Sequence, residues 1–126
     1  MTTNLKILIA DDSELMRIVM RGFFTKLLIS PEIKQTSSLS ETFELLKGET
    51  FDLLILDINM PDGDSSPKTV QEIHAMQPDL KVCMFSSNDK ALFAHSYYEA
   101  GAVGFIQKDE NMNASTTELV DQLFAS

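Results

Sequence analysis

The amino-acid sequence predicts an α/β fold: a doubly wound parallel sheet of five strands in the order 2-1-3-4-5, with five helices on its two faces. Three observations lead there. Five short strand-like segments alternate strictly with five segments of helical periodicity, the pattern of a sheet built through right-handed crossovers. Three of the strand segments are almost uninterrupted apolar runs, as expected of parallel strands covered on both faces. The most polar segment, EIKQTS, suits an edge of the sheet.

The first strand is LKILIA (5–10). In SELMRIVMRGFFTKLL (13–28) two apolar rows, Leu15, Val19, Phe23, Leu27 and Met16, Met20, Phe24, Leu28, recur every four residues and predict a helix with a broad buried face. EIKQTS (32–37) follows as the second strand. Ser38 with Glu41 three residues on forms a capping-box pattern for the second helix, Gly48 is placed to end it, and Leu39, Phe43 and Leu46 are its expected core. The third strand is DLLILD (52–57). Ser66 as N-cap and Pro67 at the first helical position start the third helix, which buries Val70 and Ile73 and is stopped by Pro78. After KVCMFS (81–86), the fourth helix starts at Asn88 or Asp89, runs through Leu92, Phe93 and Tyr97, and ends at Gly101. The fifth strand is VGFIQ (103–107), and Ser115 with Glu118 predicts a second capping box, opening a helix with the stripe Leu119, Val120, Leu123, Phe124.

A chain of 126 residues with 44% apolar and 23% charged residues is expected to form one globular domain spanning 1–126, without tail or linker. Ten basic against nineteen acidic side chains leave a net charge of −9, a field that repels phosphate backbones and anionic lipid. Direct nucleic-acid binding is therefore not expected. No segment approaches the roughly 18 apolar residues of a membrane span, and the N-terminus lacks a signal-peptide pattern, so a cytoplasmic location is expected. Cys83, the single cysteine, is expected to be a small buried side chain. His74 and His95 lack metal-ligand spacing and are expected to be solvated helix residues without a role.

The stretch FDLLILDINMPDGDSSP (51–67) carries an apolar run straight into a carboxylate, Asp57. A buried ionised carboxylate is costly unless something compensates it. In a doubly wound sheet the ligand site lies beyond the carboxyl ends of the strands. Those ends bear Asp11 and Asp12, Asp57, Ser86 and Lys108. Mg²⁺ would relieve the repulsion between Asp12 and Asp57 while leaving positions for a phosphoryl oxygen, and a carboxylate could then act as nucleophile. Lys108 and Ser86 would serve the remaining phosphoryl oxygens.

The stretches ILIADDSELMR, DLLILDINMPDG, KVCMFSSND and GAVGFIQKD, in this order and spacing, resemble the receiver domains of bacterial two-component response regulators, above all the single-domain chemotaxis type with its flavodoxin-like fold. The resemblance implies that Asp57 is the phosphoacceptor, and that Asp12, Asp57 and the Asn59 carbonyl ligate Mg²⁺, with Asp11 assisting through water. It makes Ser86 the switch hydroxyl, Lys108 its cationic partner, and Phe105 an aromatic that swings inward when the hydroxyl moves. Asn59 and Asn88 stand where the family tunes hydrolysis of the acyl phosphate, although Asn88 could equally be a helix cap. The implied donor is a sensor histidine kinase or phosphotransfer protein. The implied output is altered binding of a downstream protein at the surface of the fourth helix, fifth strand and fifth helix, where Tyr97 and Tyr98 lie. Beyond its own phosphorylation and dephosphorylation no enzyme activity is implied. Two departures stand out: Asp109 replaces the usual proline after the lysine and could draw the ammonium away, and GDSSPKTV alters the entry to the third helix. The alternatives are a haloacid-dehalogenase-like phosphatase, whose second acid would fall at Asn59, and a receiver-like scaffold that is never phosphorylated.

Overall fold

The computed structural model describes residues 4–61 and 63–124. Its strands are β1 (Lys6–Ala10), β2 (Glu32–Thr36), β3 (Leu53–Asp57), β4 (Lys81–Ser86) and β5 (Gly104–Gln107). They form one parallel sheet in the order β2-β1-β3-β4-β5. The helices are α1 (Glu14–Leu27), α2 (Leu39–Gly48), α3 (Pro67–Met76), α4 (Lys90–Glu99) and α5 (Met112–Phe124). The expected fold is the observed one.

Because side chains alternate across a strand, β3 divides the interior. Leu53 and Ile55 join Met20, Phe24, Leu119 and Val120 in a core under α1 and α5. Leu54 and Leu56 join Leu46, Val70, Ile73, Tyr97 and Phe105 under α2, α3 and α4. Cys83, opposite Ile55 and Gly104 in the sheet, is fully buried, as its apolar surroundings in the sequence indicate.

Several local expectations are corrected. In α1 the row Met16, Met20, Phe24, Leu28 faces the core and Phe23 and Leu27 of the neighbouring row pack against it part-buried, while that row's first member, Leu15, is 64% exposed. A helix resting on a sheet and one neighbouring helix buries one ridge fully and leaves the adjacent ridge part-buried along its flank. Glu41 closes the start of α2 by accepting chiefly from the Ser37 backbone N–H, with the Ser38 backbone contributing as well, while Ser38 Oγ accepts from Glu41 N as expected. The fourth helix is capped by Asp89, which accepts from Ala91 N, and Leu92 and Phe93 point outward, 76% and 43% exposed. The fifth helix begins three residues before Ser115: Asp109 accepts from Asn111 N through its carboxylate and from Met112 N through its carbonyl, so Ser115 lies inside the helix. His74 is half-buried rather than solvated, with Nε2 donating to the Leu80 carbonyl at 3.0 Å, and its ring lies where a Cβ at Gly101 would stand, 2.9 Å away. His95 is exposed beside Glu99.

Candidate functional site

Strand β1 delivers Asp11 fully buried, its N–H bonded to Thr36 O at 3.1 Å across the sheet edge. Its Oδ1 accepts from Ser13 N at 2.8 Å, which turns the chain into α1. Arg17, one turn into that helix, donates from Nη1 to the Asp11 carbonyl at 2.7 Å and from Nε to Gln35. Asp12, next in the loop, is exposed. Asp57 ends β3, 3% exposed, with Oδ1 accepting from Asn59 N at 3.3 Å.

Carboxylate oxygens of Asp11, Asp12 and Asp57 lie within 4.8 Å of one another. Lys108 reaches into this group from the end of β5, its Nζ 2.8 Å from Asp11 Oδ2 and 3.4 Å from Asp57 Oδ1. The ammonium rests on the Phe85 ring, 4.9 Å from its centre. Burial is the main cause pushing the Asp57 carboxyl up to about 7; the Asp11 charge adds to it and Lys108 opposes it. Although close to Lys108, Asp11 Oδ2 makes no hydrogen bond of good geometry. One cation thus faces three carboxylates, one of them with an unsatisfied buried oxygen. This donor set, hard oxygens around a common point, fits a small divalent metal ion.

The Ser86 side chain is buried, and its Oγ accepts from Asn88 N at 3.0 Å, a bond within its own loop. Lys108 N donates to the Ser86 carbonyl, tying the two strand ends together. The register places Ser86 opposite Gln107 and Phe105 opposite Met84, so Ser86 and Phe105 are diagonal neighbours on one face. Phe105 is already inside, 2% exposed and packed at a tilt against Tyr97. Asp109 does not draw Lys108 away, because its carboxylate serves the start of α5. The segment GDSSPKTV reaches α3 through Ser65, whose N–H returns to Ile58 O, and through Thr69 Oγ1, which accepts from Ser66 N.

Three contributors escape a reading of the sequence. Arg17 fixes the β1–α1 loop, Gln107 accepts from Lys90 N at the start of α4, and the Tyr97 hydroxyl donates to the Ser65 carbonyl. Each depends on a partner distant in sequence or on a loop path that periodicity does not encode.

Residues 7–120 match the response regulator receiver domain family. The sensory transduction protein LytR of Staphylococcus epidermidis is 32% identical over 82% of this chain and 40% of its own length. The glycerol metabolism activator of Pseudomonas putida is 29% identical over 94% of this chain and 53% of its own. The chain thus spans about half, or less, of the curated relatives it matches. A response regulator from Thermotoga maritima superposes with a TM-score of 0.81 at 24% identity, covering 98% of this chain and 99% of that one. A CheY-like receiver domain from Methanospirillum hungatei JF-1 gives 0.81 at 21% identity, covering 96% and 94%. Among the described residues no helix is long and apolar enough to cross a membrane.

Proposed function

The chain belongs to the response regulator receiver domain family, and from that premise we propose that it is a phosphorylation-controlled switch whose acceptor is Asp57. The observation that carries this reading is the placement of Asp11, Asp12, Asp57 and Lys108 within a few ångströms at one sheet edge. Asp57 is the member fit for attack, since it ends the central strand and its Oδ2 makes no bond to Lys108 or Asn59. A phosphohistidine of a sensor kinase or phosphotransfer protein is the donor: the P–N bond breaks as an Asp57 oxygen bonds to phosphorus, and the histidine nitrogen leaves with the electron pair.

Asp11, Asp12, Asp57 and the Asn59 carbonyl would hold Mg²⁺. When bound, Mg²⁺ supplies positive charge to the oxygens of the transferring group. Lys108 is placed to turn from Asp11 toward a phosphoryl oxygen, and Ser86 exchanges its bond with Asn88 N for one donated to another. The output surface is formed by α4, β5 and α5, where Tyr98, Val103, Ser115 and Glu118 line a groove. A haloacid-dehalogenase-like phosphatase would need an acid two residues after the nucleophile, and that position is Asn59.

Mass spectrometry of the chain after incubation with acetyl phosphate and Mg²⁺ tests the proposal. One added phosphoryl group on wild type and none on Asp57→Asn is the expected result; equal labelling of both removes Asp57 from the role.

A further inference from the structure

The loop that leaves β3 after Asp57 comes back to its own start, because Ser65 N donates to Ile58 O at 2.7 Å. The carbonyl of the same Ser65 accepts the Tyr97 hydroxyl at 2.9 Å, although 32 residues separate the two. Ser65 precedes the first turn of α3, so its carbonyl lies outside the helical hydrogen-bond ladder and needs a partner from elsewhere. Tyr97 itself is rooted in α4, 5% exposed, with its ring centre 6.1 Å from that of Phe105. Burial raises its hydroxyl above the ordinary tyrosine value, which keeps it a donor. One rigid side chain therefore holds the acceptor loop at its tip and touches β5 with its ring.

We infer that Tyr97 is a positioning residue for the acceptor loop, and that displacement of this loop on phosphorylation reaches α4 through the Tyr97 hydroxyl. The inference rests on the receiver function proposed above and adds a route by which the signal leaves the site. The route runs from Asp57 through Ile58 and Ser65 to Tyr97 and Phe105, and it does not pass through Ser86. A hydrogen bond at one end and ring packing at the other make a strut that cannot shorten. Packed cores respond to such a push by changing arrangement rather than by deforming continuously.

Two measurements on the whole chain test this, with Tyr97→Phe deleting only the hydroxyl. Ser65→Ala is the control, because Ser65 Oγ makes no hydrogen bond and the main-chain bonds remain. Amide resonances are followed on adding beryllofluoride and Mg²⁺. In wild type and Ser65→Ala, amides of both the 58–66 loop and α4 shift; in Tyr97→Phe the loop still responds and the α4 shifts fall to less than about half, as the loss of one coupling bond requires. An undiminished α4 response in Tyr97→Phe overturns the inference. Amide hydrogen exchange without the probe gives the second measure: the Ser65 N–H exchanges at least about tenfold faster in Tyr97→Phe relative to Val82–Phe85, the scale of one hydrogen bond. Unchanged exchange also overturns it. Should beryllofluoride move no resonance in wild type, the receiver function fails, while the exchange comparison still decides whether Tyr97 holds the loop.

Discussion

Asp57 sits where its own charge is disfavoured, and this has a measurable consequence for stability. An acid whose value rises on folding holds its proton more tightly in the native state, so the unfolded chain binds fewer protons between about pH 4 and 7 and stability falls with rising pH across that window. Below it the contribution is fully present; above about 7 it is lost. In metal-free protein Asp57→Asn should therefore stabilise at pH 8, by about 1–3 kcal/mol given what burying a charge beside a second carboxylate costs even with Lys108 at hand, and the gain should shrink toward pH 4. Thermal unfolding of both proteins across that range is the measurement. Lys108 acts in the opposite sense. Removing it as Lys108→Met leaves Asp11 and Asp57 facing each other without a cation and should cost about 1–3 kcal/mol at pH 8, with less lost when Asp57 is also Asn. Urea unfolding of the single and double variants would show the difference.

Helices α4 and α5 show where sequence patterns lose their grip. Strand ends were readable because an apolar run stops at Asp57 and Ser86, and a parallel sheet then forces those residues to one edge. Ser115 and Glu118 match a capping box and point to a late start for the fifth helix, while the feature that starts the helix is the loop conformation around Asp109. Ser115→Ala should accordingly change stability by less than about 0.5 kcal/mol, and Asp109→Ala should cost about 1 kcal/mol, the difference between an interior serine and a residue that satisfies a helix start. The end of α4 is equally specific. Gly101 has φ of +115°, which a side chain adopts at a cost, and a Cβ there would meet the His74 ring. Gly101→Ala should lose about 1–3 kcal/mol, and pairing it with His74→Ala should recover only the steric part, since the backbone strain remains.

For the molecule as a whole, the order of strands and the membership of the site followed from alternation and from residue types at strand ends. What followed less well was how far each side chain is turned inward: Leu15 opens an apolar row yet faces out, and Phe105 is buried against Tyr97, a contact that no spacing encodes. Those outcomes are set by neighbours contributed from across the chain, such as Tyr97, and no local period reports them. The proposed metal site gives a prediction at this scale. Mg²⁺ binding to the folded state alone should raise the unfolding midpoint with concentration as RT ln(1 + [Mg²⁺]/Kd), about 2.7 kcal/mol at a hundredfold excess over Kd, and Asp57→Asn should blunt the rise. A titration followed by circular dichroism would show whether the three carboxylates share the ion.

Cys83 lies in the middle of β4, fully buried between two paired strands, and its burial pushes the thiol up to about 12. A thiol so far from ionisation is inert toward alkylating reagents while the sheet stays closed. Because the sequence contains a single cysteine, iodoacetamide would add one tag per molecule only when the central strands part. The pace of that tagging would clock how often the sheet opens in native buffer, without any denaturant.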